Sequence, residues 1–205
     1  MDVKESFYTV FAPYLFKDKL GEVFELLYTA YTGSNRYYHN IGHIQNILKY
    51  SHEYNPEEPL SFYIAIWFHD YVYDVHSKDN EERSSEEMLN LLRNTNIPEI
   101  SIKLSQEYIL STIKHFPRIQ NGDCEFFLDC DLAILGSDKD IYLQFQENVR
   151  KEYSHISDGD YRKGRAEVLK TFIQRERIYL TEQMYTKLEL KARKNIESEI
   201  DYLSG

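Results

Sequence analysis

The stretch LSFYIAIWFHDYVYD, residues 60–74, decides how the rest of the chain is read. From Leu60 to Phe68 nearly every side chain is apolar or aromatic. That pattern predicts a helix or strand buried on most sides, not an amphipathic surface element. His69 and Asp70 stand together near its end. An imidazole beside a carboxylate is costly to bury unless something binds the pair. A divalent cation is the natural candidate.

The surrounding sequence divides into amphipathic segments. Leu20, Val23, Phe24, Leu27, Tyr28 and Tyr31 recur at i, i+3, i+4, i+7, i+8 and i+11, the period of a helix. Gly33-Ser34-Asn35 ends it, and a second helix is predicted to carry His39, His43, Ile44, Ile47 and Leu48. The prolines of 55–59 mark a loop before the buried helix. Helices are then predicted over 79–93 and from Pro98 to about His115, with a loop over 117–122. An apolar segment from Cys124 to Leu135 contains Asp129 and Asp131, and Gly136 is expected to cap it. Three more helices follow. Asp138 caps the first, with Tyr142, Phe145, Val149 and Tyr153 on one face. Asp158 and Asp160 begin the second, with Tyr161, Val168, Leu169, Phe172 and Ile173 inward. Thr181 opens the last, with Met184, Leu188, Ala192, Ile196, Ile200 and Leu203 in line. No strand or hairpin signal appears. The reading is all-α, one helical domain over 1–205, of a length that can bury a sizeable core.

Composition narrows the function. The 24 Lys+Arg against 34 Asp+Glu give a net charge of −10, which argues against gripping a nucleic-acid polymer. A small anionic substrate stays open, because one local cation can overcome the global sign. Two cysteines make neither a disulfide framework nor a zinc motif. With no signal peptide, lipidation signal or membrane-length apolar run, a cytoplasmic protein with no membrane partner is expected. A homo-oligomer is left open.

His39 and His43 lie four apart, which on a helix puts both imidazoles on one face. Together with His69-Asp70 and a later Asp131 they form the ordered set His, His-Asp, Asp. Nitrogen and carboxylate donors suit Zn, Mn, Fe, Co or Ni better than Ca. Such an ion polarises a phosphoryl oxygen and lowers the pKa of bound water.

These residues carry a family resemblance. Tyr38-His39-Asn40-Ile41-Gly42-His43, then Trp67-Phe68-His69-Asp70, then Asp131, resemble the HD superfamily of metal-dependent phosphohydrolases. Arg36-Tyr37-Tyr38-His39, Val72-Tyr73-Asp74, Asn80-Glu81-Glu82, Asp129-Cys130-Asp131-Leu132 and Ala192-Arg193-Lys194-Asn195 look like a bacterial-type group of predicted HD phosphohydrolases. The Tyr-His-Asn-x-x-His run is also similar to that of cyclic-nucleotide phosphodiesterases. The resemblance implies an HD-type helical bundle. It implies that His43, His69, Asp70 and Asp131 hold a divalent metal ion, with Mg also open as its identity. It makes His39 the acid that protonates the leaving alkoxide or, alternatively, a residue that orients the site. His115, at the end of a predicted helix, and Asp74, just beyond the His-Asp pair, complete the candidate catalytic set. Asp74 or one of Asn80-Glu81-Glu82 steers the attacking water or orients a ligand. Asp129 reads as a supporting or surface carboxylate. Arg36, Arg150 and Arg165 are open between phosphate contacts and ion pairs.

The expected function is hydrolysis of a small phosphoester or phosphoanhydride, nucleotides included, by metal-activated water. Two rivals stand beside it. A non-catalytic metal- and nucleotide-binding HD module would bind without turnover. A di-iron HD oxygenase would need further histidines, of which only His115 is reasonably placed.

Overall fold

The computed structural model describes residues 2–205, and these form ten α-helices and one 3₁₀ turn with no strand among them. The all-α reading therefore holds. The residues sort into two compact units, Met1–Leu128 and Asp129–Gly205.

The first unit contains α1 (Val3–Phe11), α2 (Lys17–Tyr31), α3 (Ile41–Ser51), α4 (Pro59–Phe68), α5 (Asn80–Leu92) and α6 (Glu99–Ser111). Helix α7 (Gly122–Asp131) begins in it and runs unbroken past the border. The apolar run becomes α4, with Pro59 in its first turn and all but two of its ten residues buried. It packs on α1, α3, α5 and α6, which is why it shows no polar face. Trp67 meets Phe7 of α1 edge-on at 5.2 Å, and Phe7 stacks on Phe11 at 4.4 Å. Helix α1 itself has no counterpart in the sequence reading; Asp2 caps it. The start of α4 hangs on the buried Asp123 of α7, whose carboxylate accepts from Glu57 N (3.0 Å), Glu58 N (2.7 Å) and the Tyr54 hydroxyl (2.9 Å).

The second unit contains the 3₁₀ turn Leu132–Gly136, α8 (Lys139–Glu152), α9 (Asp158–Ile173) and α10 (Glu182–Ser204). Helix α10 packs on α9 and on the 3₁₀ turn. Three expectations are corrected here. Gly136 is not a left-handed cap, since no glycine among the described residues has positive φ. It is needed because a Cβ there would lie 2.6 Å from Leu188 Cβ and 2.9 Å from Leu188 O. Val168 points outward, 48% exposed, because α9 buries the stripe Ala166, Leu169, Phe172 instead. On α10 the buried residue near the end is Glu199, not Ile200. Its carboxylate takes the Arg165 guanidinium at 2.8 Å and the Tyr142 hydroxyl at 2.5 Å. No helix is long and apolar enough to cross a membrane among the described residues.

Candidate metal centre

His39 and His43 do not share a helical face as expected. Asn40 is the N-cap of α3, its Oδ1 accepting from Gly42 N at 2.8 Å, so His39 lies among the bends before the helix. A Cβ on Gly42 would come within 3.0 Å of that cap oxygen. The motif spacing thus encodes a capped helix start: His43 enters the core from its first turn, and His39 stays outside it. The two rings are still only 6.1 Å apart between centroids. His39 is partly exposed and stacks on Tyr73 at 4.3 Å.

His69 follows the last residue of α4, and Asp70 turns out of it. His43 and His69 are buried, and the Asp70 side chain is 19% exposed. His69 Nδ1 lies 3.0 Å from the Ile66 carbonyl oxygen, a contact that an Nδ1–H makes as donor. In the neutral ring that leaves Nε2 its lone pair, aimed into the cluster. His69 Nε2 is 3.1 Å from His43 Nε2 and 3.2 Å from Asp70 Oδ2, and His43 Nε2 is 3.8 Å from the same oxygen. Asp131, the last residue of α7, joins them: His43, His69 and Asp131 each offer a ligand atom, all within 4.8 Å of one another. Asp131 is partly exposed rather than buried.

Donor atoms that share one ion at about 2.1 Å stand roughly 3.0–3.4 Å apart, so the two spacings from His69 Nε2, 3.1 and 3.2 Å, fit a common cation, whereas the 3.8 Å between His43 Nε2 and Asp70 Oδ2 is wider than that range. The donor chemistry fits as well, because facing lone pairs repel unless a proton or a metal lies between them. Burial alone would push the Asp70 carboxyl up. The imidazoles of His69, His39 and His43 outweigh it and hold the carboxyl well below the usual carboxylate range.

Arg36 fixes this geometry from behind. Its guanidinium donates to the backbone carbonyls of His39 (3.0 Å), Asp70 (2.6 Å) and Tyr71 (2.7 Å). It lies over the rings of Tyr31 and Tyr73, 5.0 and 5.3 Å from their centroids. Of the two readings left open for Arg36, phosphate contact or ion pair, the structure shows neither: the side chain is a clamp between two backbone segments. Arg150 likewise serves a turn, donating to Tyr153 O and Ile156 O and pairing with Asp158.

The remaining candidates separate. Asp74 is exposed, and its Oδ1 accepts from His76 N at 2.9 Å within the turn. Its backbone N and O both bond the Asn80 side chain at 3.0 Å. Ser84 Oγ accepts from Val72 N at 3.0 Å. Asn80 and Ser84 therefore stitch α5 to the turn after Asp70. Glu81 between them is partly buried, and its carboxyl is pushed up by burial first, with Asp70 and Glu82 adding to it and His115 opposing. Asp129 is fully occupied elsewhere, accepting from Leu180 N (2.7 Å), Thr181 N (2.8 Å) and Thr181 Oγ1 (2.6 Å) at the start of α10. Sequence reasoning names the Asn80-Glu81-Glu82 run without choosing Glu81. The signal that separates it is the alternation of Asn80 and Ser84, both small polar residues that bond backbone.

Comparison with known proteins adds no identification: no family model, no curated protein and no solved structure matches the chain. What stands is an all-helical protein with a His/His/Asp cluster able to hold a metal ion, compatible with an HD fold.

Proposed function

We propose that the protein is a metal-dependent phosphohydrolase of the HD type, acting on a small phosphoester or phosphoanhydride such as a nucleotide. The observation that carries this is the convergence of His43 Nε2, His69 Nε2 and Asp70 Oδ2 within 3.8 Å, with Asp131 beside them. These four residues would hold a divalent ion. Such an ion polarises a phosphoryl oxygen and brings a bound water's pKa toward neutrality.

The chain's own residues supply the rest. The Ile66 carbonyl sets the tautomer of His69 and raises its basicity. His39, partly exposed at the edge of the cluster and braced by Tyr73, carries a proton to the leaving oxygen. Arg36 bonds the backbone of both His39 and Asp70, so acid and ligand keep their separation. Glu81, with a raised proton affinity beside Asp70, orients the attacking water.

The test is release of phosphate or nucleoside from a nucleotide panel with Mn, Co, Ni, Mg or Zn, comparing wild type with Asp70→Ala. Activity in the wild type and a fall of at least a hundredfold in Asp70→Ala are expected. Equal activity in the two, or none with any metal, overturns the reading. Metal and nucleotide binding without turnover would favour a non-catalytic module.

A further inference from the structure

An open trough runs along α9. It measures about 490 Å³ and is lined by Gly159, Arg162, Lys163, Ala166, Glu167 and Lys170, with the last turn of α10 at its end. Positions 159, 163, 166 and 170 recur at i, i+4, i+7 and i+11, so the trough follows one face of the helix for about three turns. Arg162 builds its end wall. The guanidinium donates to Leu203 O at 3.0 Å and to Tyr202 O at 2.5 Å, and it lies 5.2 Å from the centroid of the exposed Tyr202 ring. Gly159 has no reason within the chain itself. A Cβ there would meet no atom within 4 Å, and a glycine in a helix costs conformational entropy. What the missing side chain provides is room for another backbone to come close.

The charges along the trough are also unmatched. Lys163, Glu167 and Lys170 are exposed, and their side chains make no ion pair or hydrogen bond among the described residues. Their order is cation, anion, cation at i, i+4 and i+7, a span of about 10 Å. Helix α5 carries the reverse order at the same spacing. Asp79 at its N-cap, Arg83 and Glu86 are anion, cation, anion, and all three are exposed. Within the chain this row has only a long pair, Arg83 Nη1 to Asp79 Oδ1 at 3.9 Å, beside the Ser77 hydroxyl that donates to Asp79.

We propose that the α9 trough receives α5 of a second copy of this chain. With the two helices parallel, Lys163 faces Asp79, Glu167 faces Arg83 and Lys170 faces Glu86. A slip of one turn in either direction sets at least one pair of like charges opposite each other, so the charges specify the register. Trough and ridge are different surfaces, so each copy gives one and receives the other, head to tail. Exposed ion pairs are individually weak and screened by salt, which makes the association transient and salt-sensitive. Nothing in this contact depends on the metal centre.

Sedimentation equilibrium of the full chain from about 5 to 500 μM, at about 50 and 500 mM NaCl, measures the contact. The wild type should associate at low salt, with an association constant about tenfold lower at high salt. Lys170→Glu and Glu86→Lys should each weaken association by about tenfold or more, and the two combined in one chain should restore it to within about threefold of wild type. Lys170→Glu raises the net negative charge and Glu86→Lys lowers it, so general repulsion would move the two in opposite directions. Both side chains are exposed, so melting temperatures should stay within about 2 °C of wild type. A wild type that stays monomeric over the whole range overturns the proposal and leaves the trough to a different partner. Single variants that associate as the wild type does overturn it, and so does a combined variant no tighter than the singles.

Discussion

Arg36→Lys touches no atom of the metal cluster and should still weaken it. The guanidinium holds three carbonyl oxygens at 2.6–3.0 Å, two on the His69 side of the site and one on the His39 side. Hydrogen bonds from a charged donor contribute about 1.5–3 kcal/mol each when buried, and less here because Arg36 is partly exposed. Its place between Tyr31 and Tyr73 adds about 0.5–1 kcal/mol per ring. A lysine keeps the charge and one bond but cannot span carbonyls on two segments with a single nitrogen. The expected loss is about 2–3 kcal/mol, a fall in melting temperature of about 4–12 °C. That is survivable for a fold of ordinary stability, about 5–15 kcal/mol.

The second readout separates clamp from packing. Without the clamp, the His39 segment and the His69-Asp70 turn move independently. Metal affinity then falls in proportion to the population that keeps the binding geometry, by about ten- to a hundredfold if most of the lost energy held that geometry. Circular dichroism melts and Mn²⁺ titration of Arg36→Lys and Arg36→Met measure both quantities, with Met the worse of the two. A loss below about 0.5 kcal/mol in Arg36→Lys, with metal affinity unchanged, would refute the reasoning.

Two more predictions concern the scaffold behind the site. Asp123→Ala leaves Glu57 N, Glu58 N and the Tyr54 hydroxyl without their acceptor, and denaturant unfolding should show a loss of about 2–4 kcal/mol, with Asp123→Asn intermediate. Burial pushes the Cys124 thiol up from 9.0 to about 11, so the unfolded chain releases this proton first. Stability should therefore be lost as pH rises from about 9 to 11, by about 2–3 kcal/mol that a Cys124→Ala variant does not lose; parallel alkaline unfolding curves for the two proteins would refute this.

The parts of the fold that were legible are those where local pattern and burial coincide. The run from Leu60 to Phe68 reads as buried because it is buried on all sides, and Leu20, Val23, Phe24, Leu27 and Tyr31 read as a stripe because α2 buries that face. The chemistry of His43, His69 and Asp131 was legible in residue type and order. The misreadings have separate physical causes. Asn40 can extend a helix or cap one, and the capping hydrogen bond to Gly42 N removes His39 from the helical face. Asp129 and Asp131 look alike in sequence, but two residues along a helix turn through about 200°, so one carboxylate caps α10 and the other joins the cluster. Arg36 was misread because its partners are carbonyl oxygens, which every residue has and no composition reveals. Val168 reads inward only if α9 has the wrong phase, and nothing within the helix sets that phase against its neighbours.

Local rules are broken in this chain where they surround Asp70. A core selected for stability alone would fill the positions of His43 and His69 with leucines. Buried imidazoles facing a carboxylate are costly unless charge is shared among them. A solvent-facing arginine costs less than one whose three donors are spent on turn carbonyls. Each departure comes from a different segment and each is separately reversible by one substitution, so shared packing strain does not explain them. Electrostatics accounts for the histidines: His69 Nε2 and His43 Nε2 lie 3.2 and 3.8 Å from Asp70 Oδ2, and with His39 they hold its carboxyl below the usual carboxylate range. Costs that converge on one carboxylate are what a binding centre requires of its scaffold.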